Sequence, residues 1–385
     1  MRRSPRQRAR DDESEASALS TATSTKRIKR DSSTSATATA ATTTVHESDE
    51  RLAWLAASPL SAAKTAEWRA FLGTHCALQA PSELFDLFAL ATHLNASDPR
   101  NAFATTLEIR LTGPFDLLRR SGTNVVKQKP LHLHGRFAMD VPEIVTVMED
   151  TASATGAHWG LFRDAPKQVP SLVVHCADSS VCQFEPVATS LFAFLHHRAT
   201  ERLQSNDDNA LAQLKHELQS YLERKNVPDA QLKATATRAR RDREVTAKSL
   251  HGLGIVVPYD AKKRCGFREL PVAGTALRDL LSRSDASATR KKVSELITRA
   301  TIANDECDFG TGLLLGLDLF TTGAAFQKEA LQLLRVSYAL LGRKPFVPIA
   351  SDLVKHRDLD SRDAIDCLDS STSALTSLST PVSLP

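Results

Sequence analysis

Asp305, Glu306 and Asp308 place three carboxylates within four residues of the stretch IANDECDFGTGLLLGLD, residues 302–318. Anions crowded this closely repel one another unless the fold or a partner makes use of them. Three kinds of chemistry are open to such a group: general-base catalysis, ion pairing across an interface, or one half of a two-carboxylate hydrolytic site. At the roughly 100° per residue of a helix or turn, Asp305 and Asp308 share a side while Glu306 points away from Asp305. That geometry leaves the aspartates to pair with cations or imidazoles and Glu306 for a reacting group. Helix capping and solvent exposure are the plainer reading, and they suit Asp308 better than Asp305.

The glycines that follow, Gly310, Gly312 and Gly316, do not make a nucleotide cradle. A dinucleotide fingerprint needs G-x-G-x-x-G between a strand and a helix, whereas this spacing differs and the preceding ITRATIAN reads as helix. The G-x-x-x-x-G-K-[ST] phosphate loop is absent. We therefore expect no cofactor bound by the chain itself, and assign these glycines to a sharp turn and a closely packed helix. The cysteines (Cys76, Cys176, Cys182, Cys265, Cys307 and Cys367) contain no C-x-x-C pair, which argues against both a zinc site and a disulfide framework. His132 and His134 in LHLHGRF would share one face of a strand; without a nearby third ligand, a half-exposed strand explains them better than a metal.

The elements that must position these residues follow from composition and periodicity. The 385 residues are 42% hydrophobic with only three Trp and three Tyr, so Leu, Val, Ala and Phe build the core. The net charge of +4 is too mild to mark a nucleic-acid binder by itself, and no sequence-specific contact to nucleic acid is expected. RRSPRQRAR at 2–10 and KRIKR at 26–30 sit in a Ser/Thr/Ala-rich stretch without hydrophobic periodicity, so residues 1–48 read as a disordered basic tail suited to nuclear import. No secretory signal and no apolar run of about 18 residues is present, so no membrane segment is expected.

Residues 49–205 read as an α+β unit. Helix-compatible spacing in 51–72 and in PSELFDLFALATHL (81–94) precedes short β-rich runs at 106–118, 131–139, 158–166, 171–177 and 181–187, and a helix over 187–204 closes the unit. Residues 206–355 read as mainly helical, with charged helices to about 245, one strand-like run HGLGIVVP (251–258), and helices near 274–303, 311–320 and 324–343. RARRDR at 238–243 is an exposed basic face unless a partner covers it. Residues 356–385, rich in Ser, Thr and Asp, read as a second disordered tail. The fold class is α+β, a small antiparallel sheet packed on a mainly helical C-terminal unit.

IANDECDFGTGLLLGLDLF (302–320), LHGLGIVVP (250–258) and GFRELP (266–271), supported by LTGPFDLL, LHGRF, LFRDAP and LLRVSYALL in the same order, resemble the histone PARylation factor 1 family. The similarity runs over about residues 82–345 and leaves both tails outside. The resemblance implies an accessory factor that docks on the catalytic domain of a DNA-damage-activated poly(ADP-ribose) polymerase in the nucleus, at chromatin, and lends it a glutamate. On the ANDECD match that residue is Glu306, directing modification to serine on histones and other proteins. It further implies that NAD is held by the polymerase and that Arg268 belongs to the docking surface, with Asp305 and Asp308 alongside. Phe267 departs from the Tyr the family usually carries there, and Lys328 in AFQKEALQLL is a further docking candidate. A passive nuclear scaffold, and an autonomous carboxylate-based ADP-ribose hydrolase, are the alternative readings.

Overall fold

The computed structural model describes residues 52–120, 129–205, 208–228 and 233–368. The basic segment 1–48 and residues 369–385 lie outside them. All described residues fall within one compact unit, Ser48–Pro385.

The first half begins with α1 (Ala53–Ala56), α2 (Ala62–His75) and α3 (Ser82–Leu94). Ser61 caps α2 by accepting the Lys64 N–H at 3.3 Å. The apolar spacing of α3 turns Leu84, Phe85, Leu87, Phe88 and Leu90 inward. After α4 (Ala104–Leu107) come β1 (Ile109–Leu111), α5 (Pro114–Leu118), β2 (Ile144–Asp150), β3 (His158–Phe162), β4 (Leu172–Cys176) and β5 (Glu185–Ala188). The strands pair antiparallel in the order β1-β2-β3-β4-β5, a simple meander.

Two expected strands change character. The run at 106–118 keeps only three strand residues, because Gly113 turns the chain at φ 61° and Pro114 then opens α5. LHLHGRFAM is not a strand at all: Leu131–Leu133 forms a 3-10 turn, and Gly135 at φ 78° approaches so closely that a Cβ there would sit 2.6 Å from the Gly113 Cα. His132 and His134 consequently diverge, the first to Asp352 at 2.9 Å and the second to Asp116 at 3.2 Å. The strand that sequence periodicity missed is β2. Its residues Ile144–Met148 are buried on both faces, so the polar alternation that marks a half-exposed strand is absent. HGLGIVVP contributes only an isolated bridge between Ala247 and Ile255.

The helical half comprises α6 (Leu191–Leu203), α7 (Asn209–Arg224), α8 (Ala234–Glu244), α9 (Gly274–Leu281), α10 (Ser287–Asp305), α11 (Phe309–Phe320), α12 (Gln327–Leu340) and α13 (Phe346–His356). The helix expected over 274–303 is thus two, and α13 was not expected. Residues 357–368, expected to belong to the C-terminal tail, instead pack on the sheet half. Ile365 exchanges backbone hydrogen bonds with Arg136 at 2.8 Å and Gly135 at 3.0 Å, and Ile365 and Cys367 are buried.

Side chains tie the helical half to the sheet half. Trp54 stacks on Phe192 and Tyr221, and the Tyr338 hydroxyl donates to Glu143 Oε1 at 2.7 Å just ahead of β2. Arg241 of RARRDR is buried rather than exposed; its guanidinium grips both Asp164 oxygens at 2.7 and 2.8 Å and also the Leu253 carbonyl at 2.8 Å. These contacts fix the segment from 250 onward, on which the candidate site is built.

Candidate functional site

The helix α10 ends at Asp305, and its termination decides where the carboxylates go. The Cys307 N–H donates to the Asn304 carbonyl at 3.1 Å and the Asp308 N–H to the Ala303 carbonyl at 2.8 Å, with Cys307 at φ 68°. This is a Schellman closure, in which the residue past the cap adopts the left-handed conformation that glycine usually occupies. The turn therefore comes from Cys307. The nearby glycines have the other role expected of them, close packing inside α11: a Cβ on Gly310 would lie 2.9 Å from the Gly266 carbonyl, on Gly312 2.6 Å from Asn304 and Ser337, and on Gly316 3.0 Å from Leu334. The space a side chain would need at each is filled by neighbours, so helix packing requires glycine there.

The left-handed turn separates the two aspartates. Asp305 stays exposed on the last turn of α10, while Asp308 is buried, only 1% exposed, and accepts the Gly266 N–H at 2.8 Å. The expectation that both face a partner fails for Asp308, because its carboxylate is already occupied inside the molecule. It is a structural anchor for the segment 265–268. A second anchor is Thr311, one turn into α11, whose hydroxyl accepts the Arg268 N–H and donates to the Arg268 carbonyl, both at 2.8 Å. Nothing in the sequence pattern singled out Thr311.

Held at both backbone groups, Arg268 extends its guanidinium across the turn. Its Nη1 lies 2.6 Å from Glu306 Oε2 and its Nη2 3.0 Å from Asp308 Oδ2. Hydrogen bonding to Glu306, then its charge, with Asp308 adding to both, holds the guanidinium above its ordinary pKa. The three residues differ in freedom. Glu306 and Arg268 have side chains 51% and 54% exposed, so water and salt weaken their pairing; Asp308, at 2%, is fixed. The result is a solvent-facing carboxylate resting on a cation that can also bond elsewhere.

Phe267 is half-buried and packs against the core. Lys328 is exposed in the first turn of α12, and the structure does not bring it to the cluster. Gly312 meets Ser337 and Gly316 meets Leu334, so α12 runs back along α11 and Lys328 sits near the far end. The twelve residues of α11 correspond to about 18 Å of separation along the axis. Among the described residues no cluster of three or more His, Cys, Asp or Glu could hold a metal ion, and no helix is long and apolar enough to cross a membrane.

With that geometry in view, the family is defined by comparison. The family model for histone PARylation factor 1 matches residues 67–357. Curated histone PARylation factor 1 from Danio rerio is 35% identical over 300 residues, covering 75% of this chain and 85% of the relative. The Bos taurus protein is 33% identical over 315 residues (76% and 87%), and that of Mus musculus 32% over 311 residues (75% and 86%). The chain belongs to the histone PARylation factor 1 family. The matched span includes Arg268, Glu306 and every element that positions them.

Proposed function

We propose that this protein is a non-autonomous partner of a poly(ADP-ribose) polymerase, to which it supplies Glu306 as the base that makes serine an acceptor. The observation that carries this reading is the placement of Glu306: exposed at a rigid helix end, beside an arginine fixed through its backbone, in a protein whose relatives are named for histone PARylation. Carboxylate acceptors, with ordinary pKa values near 4, are already anionic at neutral pH. A serine hydroxyl is neutral and needs its proton removed as it attacks.

In the joint site, the polymerase holds NAD. The serine oxygen bonds to the ribose carbon as the bond to nicotinamide breaks, and the serine proton passes to a Glu306 oxygen lying roughly 2.6–3.2 Å from it. Such assistance contributes about 100- to 10,000-fold. In the free protein Glu306 is paired with Arg268, so one of its oxygens is occupied. Docking frees it when a carboxylate on the polymerase takes over the Arg268 fork, a geometry well suited to bidentate pairing. Asp305, exposed one residue before Glu306, is placed to meet a cation or imidazole on the polymerase; Phe267 contributes by packing the docking segment. The setting is nuclear chromatin after DNA damage, with the basic N-terminal segment serving import.

The deciding experiment combines the protein, a DNA-activated polymerase, NAD and a histone tail peptide, with the modified residue located by mass spectrometry. Glu306→Gln should lower serine modification by about 100-fold or more, while the polymerase is still captured in a pull-down. Unchanged serine modification would sink the base role and leave a docking scaffold. Turnover of ADP-ribosyl-serine by the protein alone would favour a hydrolase instead.

A further inference from the structure

The six cysteines divide sharply by environment. Cys76, Cys176, Cys182 and Cys367 are buried, and burial pushes the thiols of Cys76, Cys176 and Cys367 up to about 12 and that of Cys182 well above its usual value. Thiols so placed are poor nucleophiles and poorly reached by oxidants. The remaining two, half-buried Cys265 and exposed Cys307, lie on the two segments that carry Arg268 and Glu306. They are 42 residues apart in sequence, yet Cys265 Sγ is 3.8 Å from the Cys307 carbonyl oxygen. The two segments are laced together on either side of that contact, by the Gly266 N–H to Asp308 at 2.8 Å and the Gly310 N–H to the Gly266 carbonyl at 2.9 Å. Cys307, at φ 68°, is the left-handed residue of the helix closure and Arg264, at φ 53°, turns the chain just before Cys265, so both segments bend sharply beside the contact.

We propose that Cys265 and Cys307 form an oxidation site, joined by hydrogen peroxide into a reversible disulfide that clamps Glu306 against Arg268. The consequence for activity rests on the reading of Glu306 given above; the bond itself does not. Cys307, the more exposed, reacts first. Its thiolate sulfur bonds to one peroxide oxygen, the O–O bond breaks, and the departing hydroxide takes up a proton to leave as water. The Cys265 thiolate then attacks the sulfenic sulfur, the S–O bond breaks, and a second water leaves. Two thiols have lost two electrons and two protons, and one peroxide has become two waters. A turn of the exposed Cys307 side chain toward Cys265 is the movement that closes the bond. The disulfide then ties segment 265–268 to segment 305–308 and restricts any backbone shift by which Arg268 and Glu306 separate when a partner docks. In a reducing compartment such a bond is transient, as a sensor requires.

The test uses the full-length protein. It is treated with hydrogen peroxide, cleared of oxidant with catalase, alkylated, and mapped by mass spectrometry without reduction. A Cys265–Cys307 linked peptide that dithiothreitol removes is expected; separate sulfinic acids at the two positions, or links to other cysteines, would overturn the site. The same oxidised sample, given polymerase, NAD and histone peptide, should lose serine modification in proportion to its linked fraction and regain it on reduction. Cys265→Ser, isosteric and outside the base and its arginine, should keep full activity after the same treatment. Equal loss in that variant, or full activity in the linked wild type, would overturn the clamp. Should Glu306→Gln leave unoxidised protein fully active, the base role falls while the peptide map still decides the bond.

Discussion

Two pairs of opposite charge, Asp140–His158 and Arg268–Glu306, have similar short contacts and opposite surroundings. His158 is buried at the start of β3, its Nδ1–H donating to the Gly156 carbonyl at 2.8 Å and its Nε2–H to Asp140 at 2.9 Å. Both ring nitrogens face oxygen acceptors, an arrangement that favours the imidazolium. Asp140 also accepts from Thr146 Oγ1 at 2.5 Å and the Phe137 N–H at 3.0 Å. Burial alone would lower the His158 pKa and raise that of Asp140; their mutual attraction and these hydrogen bonds outweigh it, so His158 ends above and Asp140 below its ordinary value. The pair of Glu306 and Arg268 has none of this enclosure. A sealed pair holds the fold together, and an open pair stays accessible to solvent.

The largest effect that tests this contrast is His158→Ala, which leaves Asp140 buried without its cation and should cost about 3–5 kcal/mol in urea unfolding. The sign with pH follows from both shifts. Raised His158 contributes fully below about 6.5 and loses its contribution as pH climbs through its folded value; lowered Asp140 contributes above about 4 and loses it as pH falls. The gap between wild type and variant should therefore be widest between about pH 4 and 6.5. A gap independent of pH would mean that the pair is not ionised. Gly310→Ala should be next, at about 1–3 kcal/mol, since its Cβ would lie 2.7 Å from Val257 and 2.9 Å from the Gly266 carbonyl. It should also loosen the segment bearing Arg268, visible as faster amide exchange at 266–268. Undiminished stability would show that the α11 contact is slack.

Asp318→Asn comes third and has the reverse sign. Burial raises the Asp318 pKa to about 7, only partly offset by the Leu250 N–H it accepts at 2.7 Å. A carboxylate whose folded value is raised resists ionising, so stability falls as pH rises from about 4 to 7. The variant should melt higher than wild type at pH 8 and lose that advantage by pH 4. His251, fully buried and lowered to about 3, has the opposite dependence, but it is common to both proteins and cancels in the difference. Smallest of all for stability is Glu306→Gln, whose melting temperature should match wild type while serine modification collapses. A large drop in melting temperature would place Glu306 with the sealed pair and break the comparison.

In the sequence the candidate site appeared only as separate segments, with ANDECD and GFRELP drawing attention to Glu306 and Arg268 through their family resemblance; nothing local said that residues 38 positions apart would touch at 2.6 Å. The inward destination of Asp308 was illegible, since helical spacing put it beside Asp305 and the left-handed Cys307 undid that spacing. Strand β2 escaped because full burial erases alternation, and LHLHGRF misled because alternating residues also fit a turn whose path is set by Gly113 and Gly135. By itself the sequence determined the helices with strong apolar periodicity, the α+β class and the presence of an exposed acidic loop, all of which depend on neighbours within a turn or two. Only the tertiary structure decided which carboxylate is free, which is buried and which arginine rests on it. Those outcomes depend on contacts between distant segments, and burial, not residue type, separates the anchored Asp308 from the exposed Glu306.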